Sequence, residues 1–457
     1  MDGATLKRIL QEILPARFIK QKAKDLGVIK RSRKRDVVKL AESLELNAGS
    51  DDSGVLADVH RRYCEEAEET VVRGAFYDWM DEEMVLLMEA LLVHAMGYAA
   101  AQPVHLPGIL GTVKDWRLFD SETITLRDEL QEVYPGSGSP AAVKVHKELS
   151  VGRCCMTYCH FGPAKEHDAP NFEVTERYRD HGLLVDLGYA SRDFIQACKE
   201  HRVKYVIRLK DNWKPKVKRI HRGEVTAEFL PGTDLDVLIE EEVLLLDGRC
   251  VDAAVRIGQG DRAVDARLVM IPGPDGYLAY LTNLDRGTHG PHQVGDLYRV
   301  RWEIETDNKL DKSGARLDQI RSTTQSSVSI QICAALLHSM VVNVIIHRDM
   351  LDRVEKQDVR RAPLHRLLLA NSIRQHHAKI FEALCAKGPS LRRWEKLAEL
   401  IYREGRDPNW RHRPSVLDRL LGLTAPRGRP RKKKMKDCPS SAQPYRSTPQ
   451  ASAPAVA

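Results

Sequence analysis

The chain has 457 residues, with 71 Lys or Arg against 64 Asp or Glu and a net charge of +7. This length is sufficient for two or three domains with a sizeable core. No run of 18 uncharged apolar residues occurs, and the first twenty residues contain no apolar signal-peptide core, so we expect a soluble intracellular protein with no membrane span. Nine irregularly spaced cysteines in such a chain argue against a disulfide framework.

The first hundred residues are predicted to be helical. The predicted helices are Lys20–Leu26, Asp36–Leu46 and a longer amphipathic run over Val55–Ala95. The strongly basic run Lys30–Arg35 lies between the first two helices. Because short helices around a basic turn suit a polyanionic partner, we interpret residues 1–100 as a DNA-binding region.

From Trp116 onwards the pattern changes to strands. The predicted strands are Trp116–Leu126, Ala142–Ser150, Arg153–Phe161, Leu183–Asp186 and Lys204–Leu209, and the predicted helices are Asn171–Asp180 and Ser191–His201. Three consecutive strands followed by helix, strand, helix and strand predict a mixed α/β sheet. That order matches the ribonuclease-H-like arrangement.

The α/β pattern is then interrupted by β-like segments, namely Val237–Leu246, Ala263–Ile271 and Tyr277–Leu281, and helices resume only at Gly295. We interpret the interruption as a β-rich insertion into the sheet domain. The chain then divides into a helical region, the first part of a ribonuclease-H-like core, the insertion, the completion of the core, a helical C-terminal region and a disordered basic tail. The predicted boundaries are 1–100, 110–212, 213–290, 291–350, 351–423 and 424–457.

Four polar residues of the helix that follows the insertion share one stripe. They project at roughly 0°, 300°, 340° and 320° on a helical wheel, a stripe about 60° wide, and are Tyr298, Arg301, Glu305 and Lys312. We expect the helix to start at Gly295, with Asp296 as its N-cap. A surface ladder of ion pairs is the simpler interpretation, because Arg301 and Glu305 are spaced i,i+4.

Two acids in the predicted sheet give the stripe a partner. Asp120 lies in the first strand, and Asp186 ends the apolar run of a later strand. A buried acid at a strand end is costly unless a cation offsets it. Together with Glu305, these aspartates provide three oxygen ligands of the type that hold two Mg²⁺ ions, with Mn²⁺ as an alternative. Arg301 and Lys312 would then bind phosphates beside the metal ions.

Two further features have competing interpretations. Cys154, Cys155 and Cys159 cluster near two histidines, which raises the possibility of a zinc site, but no C-x-x-C pair is present and we favour buried reduced thiols. Trp302 is placed to stack on a nucleic-acid base or to pack in the core, and we favour packing.

The chain resembles the bacterial DDE transposases of the insertion-sequence-four type. Four residues match the signature Tyr-x2-Arg-x3-Glu-x6-Lys of that family at every spacing: Tyr298, Arg301, Glu305 and Lys312. Phe119-Asp120-Ser121 is similar to the motif around the family's first acid, and Asp186-Leu187-Gly188-Tyr189 to the motif around its second acid. The β-rich insertion before the helix that carries the third acid is also a feature of the family.

The resemblance implies cut-and-paste transposition on double-stranded DNA. Asp120, Asp186 and Glu305 would be the catalytic metal ligands, and Tyr298, Arg301 and Lys312 would contact the end of the element. It also implies a homodimer on paired inverted-repeat ends and a bacterial cytoplasmic enzyme associated with the nucleoid. A two-metal nuclease on the same fold, or a DNA-binding regulator that has lost catalysis, are the alternative interpretations.

The tail provides a separate indication of nucleic-acid binding. Residues 427–436 contain seven Lys or Arg and no acid. Arg427-Gly428-Arg429-Pro430 is similar to an AT-hook, in which Arg427 and Arg429 would enter an A·T minor groove. A disordered tail with general affinity for phosphates is an equally good interpretation.

Overall fold

A computed structural model describes residues 2–29, 35–48, 56–66, 70–166, 172–385 and 390–424. Most of the basic run Lys30–Arg35 lies outside the described residues, as do Arg427 and Arg429 of the basic tail. The described residues up to Thr424 form one compact unit. The predicted boundaries between the regions before the tail therefore fall within this unit, and they remain predictions.

A ten-stranded mixed sheet runs through this unit, with the strand order β3-β2-β1-β4-β5-β12-β11-β10-β6-β8. β1 pairs antiparallel with β2 and parallel with β4, and β4 pairs parallel with β5. The predicted mixed ribonuclease-H-like sheet is confirmed. The strands are β1 Trp116–Thr125, β2 Ala142–Ser150, β3 Cys155–Pro163, β4 Gly182–Val185, β5 Lys204–Arg208, β6 Lys216–Arg222, β7 Glu224–Val225, β8 Thr233–Asp234, β9 Leu244–Leu245, β10 Val251–Ile257, β11 Val264–Gly273 and β12 Gly276–Thr282.

The inserted strands extend this sheet. β12 pairs antiparallel with β5 over three residue pairs, from Tyr280↔Arg208 to Thr282↔Val206. Beyond the end of β12, side chains continue the pairing, because Asn283 accepts from the backbone N–H of Tyr205 at 3.1 Å through Oδ1 and donates to the backbone carbonyl of Val203 at 2.8 Å through Nδ2. Backbone and side-chain hydrogen bonds thus join the insertion to the strands before it.

One segment of the insertion was predicted wrongly. The predicted strand Val237–Leu246 contains most of a short helix, Leu235–Glu240, and only the two-residue strand β9. Leu235 and Leu238 are both buried and lie one helical turn apart, so a helix buries this apolar run on one face. A short apolar run of this kind does not distinguish helix from strand by its pattern alone.

Helices cover the sheet and form the two ends of the described chain. One hydrophobic cluster contains buried side chains of the first hundred residues, of β2 and of the helices after residue 324. The helices are α1 Gly3–Ile13, α2 Ala16–Asp25, α3 Val37–Leu46, α4 Leu56–Glu66, α5 Arg73–Tyr77, α6 Glu82–Ala100, α7 Arg192–Glu200, α8 Leu235–Glu240, α9 Pro291–Arg299, α10 Trp302–Lys309, α11 Gln325–Glu355, α12 Arg366–Gln375, α13 His377–Cys385, α14 Leu391–Glu404 and α15 Val416–Leu420.

Two predicted helices differ in extent from the observed ones. The run Val55–Ala95 is divided into α4, α5 and α6, and Asp81 starts α6 by accepting from the backbone N–H of Met84 at 2.8 Å. In place of a helix over Asn171–Asp180, the described part has a single 3-10 turn, Glu176–Tyr178. Phe172 packs on Phe119 there, with 3.9 Å between ring centroids, so tertiary packing decides the local conformation.

By length and apolar composition alone, α6 and α11 pass as membrane-crossing helices. This is weak support for a membrane span, because the core helix of a folded protein passes the same test. In α11, 94% of the apolar segment is buried inside the protein, and in α6 the share is 39%. The apolar segment of α11 is buried because other elements surround this helix.

Candidate active site

The two predicted strand aspartates lie at one edge of the sheet. β1 and β4 run parallel with Phe119 paired to Val185. Asp120 and Asp186 are the next residues of the two chains, at the point where β4 ends. Because Phe119 and Val185 are paired, Asp120 in the middle of β1 and Asp186 just past the end of β4 lie side by side.

The environment of Asp120 favours added positive charge. Burial raises the pKa of the Asp120 carboxyl, and the nearby charge of Asp186 raises it as well. Three groups lower this pKa: the backbone N–H of Ser121, which donates to Oδ1 at 2.9 Å, the guanidinium of Arg301 and the ammonium of Lys147. Asn308 donates from Nδ2 to the other carboxylate oxygen at 2.9 Å. Because the raising effects prevail, a further cation here would stabilise the ionised carboxyl.

The segment carrying the predicted stripe is helical but is tightened at its centre. The backbone N–H of Arg301 donates to the carbonyl of Tyr298 at 3.0 Å, and that of Ile304 to Arg301 at 3.2 Å. These i to i−3 bonds separate α9 from α10 and are typical of 3-10 geometry. The predicted start at Gly295 is wrong: α9 begins at Pro291, whose missing N–H and fixed φ suit the first helical position.

A wide turn after α10 moves Lys312 away from the stripe. Residues Leu310–Gly314 form a π-helical turn, in which the backbone N–H of Ala315 donates to the carbonyl of Leu310 at 2.9 Å. Nζ of Lys312 lies 3.7 Å from Oε2 of Glu122, a buried acid two residues beyond Asp120 in β1. The fold therefore places Tyr298 and Arg301 near the aspartates and pairs Glu305 with Arg301, but it pairs Lys312 with a different carboxylate.

Arg301 is the electrostatic centre of the cluster. Its Nη2 donates to Oε1 of Glu305 at 2.6 Å, which is the i,i+4 ion pair of the simpler interpretation. Burial would lower the pKa of Arg301, but Tyr298, Asp186 and Glu305 together raise it above its usual value. The guanidinium also lies 5.8 Å from the ring centroid of Tyr298, whose pKa burial raises to about 12. One cation therefore acts on all three predicted catalytic acids.

Two neighbouring carboxylates, those of Asp120 and Asp186, are available to bind a divalent cation. Among the residues that the structure describes, no group of three or more His, Cys, Asp or Glu side chains is arranged as metal ligands, and Glu305 is held by Arg301. Carboxylate oxygens are nevertheless the ligands that Mg²⁺ and Mn²⁺ prefer. The mutual repulsion of Asp120 and Asp186 is a cost that such a cation offsets.

Trp302 does not pack in the core as predicted. It is 65% exposed and lines an open groove of about 700 Å³ beside Tyr298. The groove is also lined by three arginines: Arg208, Arg299 and Arg413. The indole is exposed because Trp302 lies on the solvent side of α10, whose buried residues are Ile304 and Asp307. An exposed indole among arginines is suited to a base with its phosphates.

The cysteine cluster consists of free thiols. Cys154 and Cys155 are buried, as predicted, and Cys159 is only partly buried. Burial raises the pKa of the Cys154 thiol to about 12.

Comparison with known proteins identifies the family. Residues 112–341, half of the chain, match the model of the transposase DDE domain. The chain belongs to this family. The matched range contains Asp120, Asp186 and the whole of α9 and α10, which are the elements that form the cluster described above. The protein is therefore a DNA transposase, an enzyme class that cleaves and joins DNA.

Bacterial insertion-sequence transposases are similar to this transposase. The IS1151 transposase of Clostridium perfringens is 21% identical over 243 residues, which are 44% of this chain and 50% of that protein. The IS231F transposase of Bacillus thuringiensis subsp. israelensis is 21% identical over 343 residues, which are 63% of this chain and 71% of that protein. A cryo-EM structure of a piggyBac transposase synaptic complex with hairpin DNA is similar with a TM-score of 0.43 and 9% identity, over 94% of this chain and 86% of that one.

Sequence reasoning missed several polar residues around the transposase site. Asn308, which donates to Asp120, is one of them. The others form a buried charge cluster behind the helix: Lys147, Asp307 and Asp311. A usable signal was present, because Asp307 and Asp311 are spaced i,i+4 in a predicted helix.

Proposed function

We propose that this transposase is of the insertion-sequence-four type and moves a DNA element by cutting and pasting its inverted-repeat ends. Asp120, Asp186 and Glu305 are its catalytic carboxylates. The observation that carries the proposal is the placement of Asp120 and Asp186 at neighbouring positions on the adjacent parallel strands β1 and β4, next to the junction of α9 and α10, from which Arg301 acts on both aspartates and on Glu305.

The same three carboxylates would hold the metal, with two Mg²⁺ ions as the proposed cofactor and Mn²⁺ as a substitute. Bound metal would activate a water or 3′-hydroxyl oxygen and neutralise charge on the leaving oxygen. The protein supplies the remaining electrostatics. Arg301 balances the acids while no cation is bound, and Asn308 keeps the Asp120 carboxylate oriented by its 2.9 Å hydrogen bond.

Positive and aromatic groups beside the acids would hold the DNA strand. Arg301 grips a phosphate bidentately when Glu305 releases it. Tyr298 positions the strand, and Trp302 stacks on a base in the adjoining groove. Lys312 reaches a phosphate by leaving its 3.7 Å contact with Glu122, which is a weak restraint for a side chain that is 38% exposed.

The proposed partners are double-stranded DNA, both as element ends and as target, and a second copy of this chain on paired ends. The tail adds affinity, through Arg427 and Arg429 in a minor groove or through general contacts with phosphates. We propose a bacterial cytoplasmic location at the nucleoid, because that is where this substrate lies.

The test uses Glu305→Gln, with Asp296→Asn as a matched control. Glu305→Gln removes a metal-binding charge but retains an oxygen that accepts from Arg301. Asp296 lies on α9 and is paired with Arg299 at 3.6 Å. Its substitution therefore removes an acid of the preceding helix that is not one of the proposed catalytic carboxylates.

Linear duplexes carrying the DNA that flanks the gene are incubated with each protein and Mg²⁺. We expect wild type and Asp296→Asn to nick the ends and join them to a target plasmid, and Glu305→Gln to bind the ends without nicking. Nicking by Glu305→Gln at the wild-type rate would contradict the assignment. Cleavage of branched DNA without joining would indicate a nuclease, and wild-type binding without any cleavage would indicate a regulator.

A further inference from the structure

A buried cation, Lys147, lies beside the site, paired with Asp120 across β2 and β1, and none of the proposed catalytic steps uses it. Lys147 is in the middle of β2, and its side chain is only 1% exposed. Its Nζ lies 3.0 Å from Oδ2 of Asp307 and also contacts the carboxylate of Asp311. Oε1 of Glu122 in β1 is 3.6 Å away. One ammonium group therefore joins two strands of the sheet to α10 and the π-helical turn that follows it.

α10 presents two different faces to the rest of the protein. At about 100° per residue within α10, Glu303 and Asp307 centre on one direction and Glu305 and Asn308 on another, roughly 150° away. On the first face Asp307 contacts Lys147 and Glu303 contacts Arg366. On the second face Asn308 donates to Asp120, and Glu305 pairs with Arg301. The rotation of α10 about its axis therefore determines whether Glu305 faces Asp120.

Helices α11 and α12 also contact Glu303 and Asp307, from the side away from the sheet. Oδ1 of Asp307 accepts from Nδ2 of Asn343 in α11 at 2.6 Å. Arg366 in α12 donates to Oδ1 of Asn343 at 3.1 Å and to Oε2 of Glu303 at 2.8 Å. Asp307 is thus fixed between a lysine on the sheet and an asparagine on the helical layer. This arrangement restrains both the rotation of α10 about its axis and its distance from the sheet.

A need for stability alone does not account for the cluster. Desolvation of buried ions offsets much of their attraction, and apolar residues of similar volume often stabilise a protein as well or better. What apolar residues lack is direction, because their packing tolerates small shifts that a hydrogen bond at 3.0 Å does not. The cluster supplies this directional restraint on the segment that carries Glu305.

We propose that Lys147 is a positioning residue that holds α10 in the rotation at which Glu305 faces Asp120 and Asp186. The expected effect on cleavage rests on the proposed function, since Glu305 is a proposed metal ligand. The restraint itself is a property of the fold and is measurable without catalysis.

The test compares two variants of the full chain with wild type. Lys147→Met alone leaves the buried acids without their cation and is expected to lower the melting temperature. Lys147→Met combined with Asp307→Asn and Asp311→Asn removes the cation together with its two nearest acids, and an amide at 307 still accepts from Asn343. Glu122 keeps its 3.7 Å contact with Lys312. We expect the triple variant to recover the melting temperature, because neutral polar groups are tolerated where a lone charge is not.

Three readouts separate positioning from folding in the triple variant. Amide hydrogen exchange should become faster over 302–314 but stay unchanged over 291–299, the residues of α9. Mn²⁺ affinity, measured by electron paramagnetic resonance, should fall by at least about tenfold, as for loss of a residue that orients a ligand. Cleavage should fall by about a hundredfold, the effect of a displacement of about 1 Å, while affinity for element ends is retained.

A stable triple variant with wild-type exchange over 302–314 would overturn the proposal. So would wild-type Mn²⁺ affinity in that variant. If wild-type protein neither cleaves DNA nor binds Mn²⁺, the proposed function fails, and the exchange measurement still decides whether Lys147 restrains α10.

Discussion

Gly182, at the start of β4, is a position where one added methyl group should disturb the site from a distance. A Cβ on Gly182 would lie 2.3 Å from Cε3 and 2.5 Å from Cζ3 of Trp116, where ordinary contacts begin at 3.4 Å. Trp116 is fully buried, and its indole N–H donates to the carbonyl of Leu110 at 3.0 Å, so the ring has little room to move. Gly182→Ala must therefore push β4, which ends immediately before Asp186, away from β1.

Overpacking of a close-packed core costs about 1–3 kcal/mol. The added Cβ would approach the immobile ring of Trp116 about 1 Å closer than an ordinary contact, so we expect a cost at the upper end of this range. About 3 kcal/mol corresponds to roughly a hundredfold change in the unfolding equilibrium. Gly188→Ala is the matched control. It lies on the other side of Asp186, is exposed and has nothing within 4 Å of its added Cβ.

Denaturant unfolding and end cleavage are measured for both variants. We expect Gly182→Ala to lower the unfolding midpoint and to slow cleavage even where it is fully folded, because the spacing of Asp120 and Asp186 has changed. Gly188→Ala should keep the wild-type unfolding midpoint, and cleavage by Gly182→Ala is compared with wild type, because Gly188 belongs to the motif around Asp186. Equal unfolding midpoints of the two variants would refute the reasoning, and so would wild-type cleavage by Gly182→Ala.

Three further predictions concern other parts of the molecule. Trp302→Ala should weaken binding of a single-stranded end by about 1–3 kcal/mol, the usual contribution of one stacked base, measured by fluorescence anisotropy. Burial lowers the pKa of His347 to about 4, whereas in the unfolded chain it is about 6.5. The unfolded state therefore binds the proton more tightly, and the free energy of unfolding should fall by on the order of 3 kcal/mol as the pH is lowered from 6.5 to 4. His347→Gln should show a flatter pH dependence of its unfolding midpoint, and parallel curves would contradict this. Deleting residues 424–457 should reduce the slope of log affinity for DNA against log salt, and an unchanged slope would leave the tail without a role in binding.

The central strands were predictable from the sequence because their signals are local. β2 was predicted at its observed bounds, Ala142–Ser150, and β1 within one residue, since alternation and a Gly/Pro-rich loop mark them. Asp186 was recognisable as the end of an apolar strand. The proximity of Asp120 and Asp186 then followed from the strand order expected for the fold.

The helix carrying Glu305 was predicted to exist, but its local geometry was not. A regular helix places Tyr298, Arg301, Glu305 and Lys312 on one stripe. The observed segment has i to i−3 bonds around Arg301 and a π-helical turn at Lys312. These departures arise from side chains packed on other elements, so a wheel drawn from the sequence cannot contain them.

The pairing of β12 with β5 has a mechanical consequence. The seam between the inserted strands and the earlier part of the sheet is crossed by backbone bonds and, past the strand end, by the side chain of Asn283. β5 in turn pairs with β4, whose chain continues directly into Asp186. A load applied to the insertion therefore reaches the second carboxylate through only two rows of hydrogen bonds, with no linker to absorb it. Tension applied to the inserted strands would therefore change the spacing of Asp120 and Asp186.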